Sequence, residues 1–243
     1  MRNKLNRICA SWLLVFGVIA LVGCADKTDE PRVIETSTVT DVDGNVYKTV
    51  KIGNQWWMAE NLSVTHFNDG SALDFFALND ADTLWANAAN PSYTVINDSL
   101  FGYLYNFNVV ENVKNIAPEG WHVPTDEDWK TLEKEIGMSE DESNALGWRG
   151  SNEAEKLTVK YSRGWPEGSA LFGTDEYGFQ AKPAGCRLFN GETNYQGNLT
   201  LWWSASTNGN EAWYRYIDAN QTRIFRQHTY KGYGMSIRCV KNS

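Results

Sequence analysis

Three histidines (His66, His122, His228), two cysteines far from the N-terminus (Cys186, Cys239) and a scatter of Asp and Glu are the residues of this chain that could do chemistry. Zinc is usually held by short-spaced pairs of His or Cys ligands. Neither His-x-x-x-His nor Cys-x-x-Cys occurs, so no metal ligands are assigned, and His122 beside Trp121 reads as a hydrogen-bonded structural histidine. Asp41-Val42-Asp43-Gly44-Asn45 starts like a calcium loop, but Ile52 stands at the twelfth position, where a bidentate Glu is needed. Loop acids and carbonyls could still gather calcium, but no motif supports it, and no cofactor is expected. No glycine-rich phosphate loop, Ser-His-Asp order or paired-carboxylate spacing stands out, so no catalytic residues are assigned. Aromatic residues are the other resource: eleven Trp, eleven Tyr and ten Phe. Trp148, Trp165, Tyr195, Trp202, Trp203 and Trp213 fall in the loop-rich second half. Such rings stack on sugars or anchor protein interfaces, with Arg187 and Arg149 available for hydrogen bonds. Neighbours on a strand face opposite ways, so of Trp202 and Trp203 one is expected in the core and the other outside. More than half of these aromatics are expected to be core.

The elements that must position these residues begin after an N-terminal leader. Arg2, Lys4 and Arg7 precede an apolar run from Ile8 to Ala20, the pattern of a secretory signal, too short and too one-sidedly charged for a span. Leu21-Val22-Gly23-Cys24 resembles a bacterial lipobox, which implies cleavage before Cys24, acylation of that cysteine and attachment to a membrane. Cleavage removes three basic residues and no acids, leaving 22 − 3 = 19 basic against 30 acidic residues, a net charge of −11. Such a chain has no reason to seek nucleic acid. Residues 24–37, acidic and then Thr-rich, read as a tether. Cys186 and Cys239 would be the cysteines left in the domain. In an oxidising compartment they could pair, closing a loop worth about 4 kcal/mol, or remain as two buried thiols.

The domain proper opens with a hairpin, Thr38–Thr40 and Val46–Ile52 about the turn Asp43-Gly44-Asn45. Residues 63–99 show weak periodicity and read as an irregular insertion. In Gly120-Trp121-His122-Val123-Pro124-Thr125-Asp126-Glu127-Asp128-Trp129, alternation predicts a strand stopped by Pro124. Thr125 is placed as an N-cap with Asp128 as its reciprocal partner, and Trp129, Leu132 and Ile136 as the apolar stripe of a helix over about 125–136. Short helices are expected at 139–146 and 152–157. A meander of four strands is expected over 201–206, 212–218, 223–228 and 235–240. The class is therefore α+β, mostly antiparallel, with one main helix and long loops.

Several of these segments carry a family resemblance. Gly120–Trp129, Ile52-Gly53-Asn54-Gln55-Trp56-Trp57-Met58-Ala59-Glu60-Asn61-Leu62, Tyr103-Leu104-Tyr105-Asn106, Gly178–Arg187, Trp202-Trp203-Ser204 and Ser236–Lys241 resemble, in order, the Fibrobacter succinogenes major paralogous domain of Bacteroidetes lipoproteins. The resemblance covers 38–241. It implies a C-type-lectin-like fold, with terminal strands paired and loops gathered at one end. It also implies an outer-membrane lipoprotein held through acylated Cys24, displayed at the cell surface or on the periplasmic face. The Glu-Pro-Asn, Gln-Pro-Asp and Trp-Asn-Asp triplets of calcium-dependent lectins do not occur. More distantly, Val123-Pro124-Thr125 and the acids before Trp129 resemble a segment of the formylglycine-generating enzymes, which use a close pair of cysteines. Here Cys186 and Cys239 are more than fifty residues apart. The expectation is a non-catalytic module for a glycan or protein ligand, the alternatives being a structural component of the envelope and a thiol oxidase. Asp82-Thr83-Leu84 and Asp98-Ser99-Leu100 resemble Bacteroidetes O-glycosylation triplets, with Thr83 and Ser99 as acceptors.

Overall fold

The computed structural model describes residues 32–78, 82–96, 101–159, 164–194 and 197–243. Cys24, Ser99 and Tyr195, and the leader and most of the tether, lie outside them. The hairpin forms as expected, from β1 (Thr36–Thr40) and β2 (Val46–Ile52). Asp41 closes its turn by accepting the N–H groups of Asp43 and Asn45 at 3.0 and 2.9 Å. Next come β3 (Gln55–Met58), β4 (Asp74–Phe75), α1 (Asp82–Ala86), β5 (Ser92–Val95), β6 (Tyr103–Tyr105) and α2 (Phe107–Val110). The middle of the chain forms β7 (Trp121–His122), α3 (Asp126–Glu135), α4 (Glu140–Asn144), β8 (Gly147–Arg149) and α5 (Glu153–Leu157). β9 (Cys186–Arg187), β10 (Thr193–Asn194), β11 (Leu199–Asn208), β12 (Glu211–Asp218), β13 (Ile224–Tyr230) and β14 (Val240–Lys241) complete it. The result is an α+β arrangement of mostly antiparallel strands with few helices. Among the described residues no helix is long and apolar enough to cross a membrane.

The main sheets have orders β1-β2-β3-β14-β7 and β11-β12-β13-β8. Residues 63–99, expected to be irregular, instead contain β4, α1 and β5, and β5 pairs parallel with β4 and antiparallel with β6, which follows that stretch. Strands of two to four residues are too short to show a period; packing of Phe75, Tyr93, Tyr103 and Tyr105 rings holds them. The expected four-strand meander is corrected too. Its fourth strand is β8, paired with β13, while residues 235–240 touch this sheet only through the parallel bridge Trp202↔Ser236 on β11. That last segment is buried along its whole length and runs between the sheets. Its carbonyls accept from Met58 and Leu62 on one side and Trp203 on the other, so a buried backbone stays satisfied.

α3 is built as its sequence dictates. Thr125 and Asp128 form the reciprocal capping box, and Trp129, Leu132 and Ile136 are buried against Trp57, Phe179 and Trp202. Asp128 also accepts from His122 Nε2 at 3.1 Å, fastening strand to helix. The polar side of α3 is buried as well. Glu133, with no exposure, takes Arg149 in a bidentate pair at 2.8 and 2.7 Å and Arg215 Nε at 2.7 Å. Asp126 takes Arg215 Nη1 at 2.8 Å and Arg226 at 2.9 and 2.6 Å. Burial pushes both carboxyls up, but the guanidinium groups outweigh it and hold each below the usual carboxylate range.

Two hydrophobic cores result, one on each side of β11. Trp202 enters one and Trp203 the other, so the expectation that one of them faces solvent is overturned: the strand alternates, but both of its faces are covered. The Asn61 amide joins the pieces. Its Oδ1 accepts from Trp202 Nε1 at 2.9 Å and from Arg238 Nε and Nη2 at 3.1 and 2.9 Å. Its Nδ2 donates to Phe101 O at 2.8 Å and Ser236 Oγ at 3.2 Å.

Replacing Glu133 by Gln leaves Arg149 and Arg215 facing a neutral amide, and should cost about 3–5 kcal/mol in urea unfolding, as removal of one partner of a buried pair does; a loss below about 1 kcal/mol would show the network to be dispensable. His122 gives a pH signature. Its bond to Asp128 raises the imidazole above its ordinary 6.5, with burial opposing and Asn242 assisting. The stability it contributes is therefore full below the unfolded value and is lost as pH rises through the folded one. The Tm gap between the native chain and His122→Gln should be wider at roughly pH 5.5 than at roughly pH 8.5, and equal gaps would contradict this.

Candidate binding site

The outer face of the β11-β12-β13-β8 sheet is where half-buried aromatic rings collect. Register places Leu201, Tyr216, Phe225 and Trp148 directly opposite one another, one from each strand. Trp203, Tyr214 and Gln227 form the adjacent row. At the β11 end both rows run under the first core; toward β8 the rings are partly open to solvent. Tyr216 and Phe225 have centroids 4.5 Å apart, and Trp148 stands edge-on to both at 4.8 and 5.2 Å. Tyr214 lies nearly parallel to Tyr216, 6.2 Å away at 8°. Each ring props its neighbour, which leaves a rigid aromatic surface with little rotamer entropy to lose on binding.

A groove of about 350 Å³ continues this surface, with Leu188, Leu199 and Leu201 as apolar lining and Tyr214, Tyr216 and Tyr233 as rings. Asp218 supplies a carboxylate in its wall. Beyond Tyr233, Phe189 and Tyr230 extend the aromatic contacts, and both are about half exposed, at 50% and 58%. Burial, with smaller repulsion from neighbouring phenols, keeps the Tyr214 hydroxyl protonated well above its ordinary range, so at neutral pH it is a neutral donor and acceptor.

The sequence-predicted residues divide sharply. Trp148 belongs to this face. Trp213 is also half-buried, but on the opposite face, where Arg226 lies 4.0 Å over its ring and His228 meets its edge. Trp165, Trp202 and Trp203 are buried, their indole N–H groups donating to Ala181 O, Asn61 Oδ1 and Tyr105 O. Arg187 is fully buried: Nε donates to Gly191 O at 2.8 Å, Nη1 to Thr94 Oγ1 at 3.3 Å, and its guanidinium lies 4.8 Å over Trp85. It pins the insertion to β9. Arg149, read as available to a ligand, is taken up by Glu133. Thr83 is exposed at the start of α1. Tyr214, Tyr216, Phe225, Tyr233 and Asp218 went unpredicted. Tyr214 and Tyr216, two apart on an expected strand, had to share a face; which face was open was not readable.

Cys186 and Cys239 are free thiols, both buried in the first core, and the disulfide expected as one option is not formed. Each packs as a small apolar side chain. Burial pushes the Cys186 thiol up to about 12 and Cys239 further. The three histidines are each held by a carboxylate: His66 by Asp43, His122 by Asp128 and His228 by Glu211. Among the described residues no cluster of His, Cys, Asp or Glu has the arrangement of a metal site.

The family model of the Fibrobacter succinogenes major domain matches residues 50–241, from the middle of β2 to the end of β14. This chain belongs to that family. No curated protein and no solved structure matches it. The family's span begins partway along β2, yet β1 pairs with β2 residue by residue from Thr36↔Val50 to Thr40↔Val46. In the Fibrobacter succinogenes major domain seen here, residues of four motifs meet around Asn61 and Arg238: Asn61 bonds Trp202, Ser236 and Arg238, and Arg238 bonds Phe179 O and lies over the Trp202 ring. The motifs thus mark the frame, while the open aromatic face is built from residues between them.

Thiol reactivity follows directly from the burial. Cys239, with no exposed surface, should react with an aromatic disulfide reagent only as fast as the domain unfolds, whereas Cys186, at 2% exposure in the groove wall, should react faster than Cys239. Immediate reaction of Cys239 in the folded domain would contradict the packing described.

Proposed function

We propose that the domain is a non-catalytic binding module whose ligand is a glycan, stacked on the Trp148–Phe225–Tyr216 face and running into the groove beside Tyr214. The observation that carries this reading is the register-aligned row of partly open rings, three of them on adjacent strands and fixed by one another. Sugar rings present apolar C–H faces to such a surface, while hydroxyls such as that of Tyr214 and the Asp218 carboxylate meet sugar hydroxyls. The reading treats the frame as a C-type-lectin-like variant, supported by the sheet that brings the N-terminal hairpin and the C-terminal strand β14 together through β3. It places the domain on the outer membrane through acylated Cys24, at the cell surface. Binding is preferred to thiol oxidation because the Cys186 and Cys239 thiols are raised by burial, opposite to the shift a nucleophilic thiolate needs. A protein ligand is the second reading, favoured by the exposed Phe189 and Tyr230.

The test is a glycan array probed with the chain from Val33 onward, with and without a calcium chelator. Saturable binding is expected, unaffected by the chelator. Trp148→Ala and Phe225→Ala should each weaken it about tenfold, equal to about 1.4 kcal/mol, with far-UV CD unchanged. A blank array with well-folded protein would reject the glycan and direct the search to protein partners.

A further inference from the structure

A second pocket, remote in character from the aromatic face, has a polar wall and a buried cation. It holds about 220 Å³ between the first hairpin and the 59–63 segment, with Tyr47, Glu60, Asn61, Ser63, Lys182 and Arg238 in its wall. Arg238 is 1% exposed. A guanidinium carries five N–H groups, and three have acceptors here: Nε and Nη2 donate to Asn61 Oδ1, and Nη1 donates to Phe179 O. Two remain. Its other close neighbours are the ring of Phe179 at 4.2 Å and that of Trp202 at 5.6 Å.

All of these partners are neutral. Among the described residues no carboxylate stands within ion-pair distance of Arg238, whereas Arg149, Arg215 and Arg226 are each matched by Glu133 or Asp126. A buried cation without a counter-charge is strongly disfavoured even after relaxation. Burial accordingly draws the Arg238 guanidinium down to about 9, with Glu60 and Asp175 only partly restoring it through space. Glu60 shares the pocket wall, but its Oε2 is engaged by the Lys48 N–H at 2.7 Å. The wall also includes Ser63, whose hydroxyl is shared with the Tyr47 phenol at 3.1 Å.

We infer that this pocket binds a small oxyanion, a carboxylate or a sulfate- or phosphate-type group, against Arg238. The volume fits one such group with a few waters, each of which takes about 30 Å³. The anion supplies the charge that the fold withholds from Arg238, and charge-assisted hydrogen bonds to guanidinium are about twice as strong as neutral ones. The site shares none of its lining with the aromatic groove and stands whether or not that groove binds a glycan.

The experiment titrates the full-length chain with sodium acetate, sodium sulfate and sodium phosphate at constant ionic strength in chloride, following the assigned Nε–H resonance of Arg238 by NMR. Thermal shifts are not the readout, because sulfate and phosphate stabilise any folded protein by exclusion. A saturable shift with at least one anion is expected, acetate reporting a carboxylate site and sulfate or phosphate a tetrahedral one. A resonance unmoved by all three anions, or a shift that never saturates, would overturn the assignment.

Discussion

One side-chain amide holds the parts of this domain in register. Asn61 is buried at the end of the segment that follows β3, and every donor and acceptor it owns is used: its oxygen by Trp202 and Arg238, its nitrogen by Phe101 O and Ser236. Only an amide offers both functions at that spot; a carboxylate would lose the two donations, and an apolar residue would strand four buried polar groups. Because those partners sit on the 101–102 turn, β11 and the last crossing segment, the amide fixes where the two sheets meet. The final segment can then run buried between them, its backbone bonded to both sides.

The position of α3 follows from a second constraint, the cluster of Asp126 and Glu133 with Arg149, Arg215 and Arg226. Buried ion pairs of this kind contribute geometry more dependably than stability. They commit one face of the β11-β12-β13-β8 sheet to the helix. The opposite face is covered by the first core over β11 and part of β12, where Ala212 is buried and Tyr214 and Tyr216 pack at its margin, so the rings of Tyr216, Phe225 and Trp148 are left half open. The candidate binding surface is thus what remains once the sheet's other obligations are met. Because those rings are held by backbone register and by each other, the surface is preformed.

Much of the fold was legible locally. The turn at Asp43–Asn45, the capping box of Thr125 and Asp128, the apolar stripe of α3 and the short helix opened by Ser139 all formed where their residues predict them. Each depends on neighbours within a few positions, so sequence spacing carries the whole signal. The insertion over 63–99 and the fate of residues 235–240 were not legible, since short strands have no period and a fully buried crossing segment alternates like an ordinary strand.

For the candidate site the sequence carried only an expectation. An excess of aromatic residues and an absence of catalytic spacing pointed to binding, and that much belongs to composition. Which rings would be free did not: Trp202 and Trp203 had to face opposite ways by strand geometry, yet both are buried because a core lies on each side of β11. Arg187 and Arg149 carry ligand-seeking groups that the fold spends on Gly191, Thr94 and Glu133. By itself the sequence determined the α+β class, the main helix with its N-terminal capping box and the family; the tertiary structure decided which aromatics are surface and which cations are neutralised. The physical reason is that periodicity assigns a residue to a face, whereas only the packing of distant segments determines whether that face is covered.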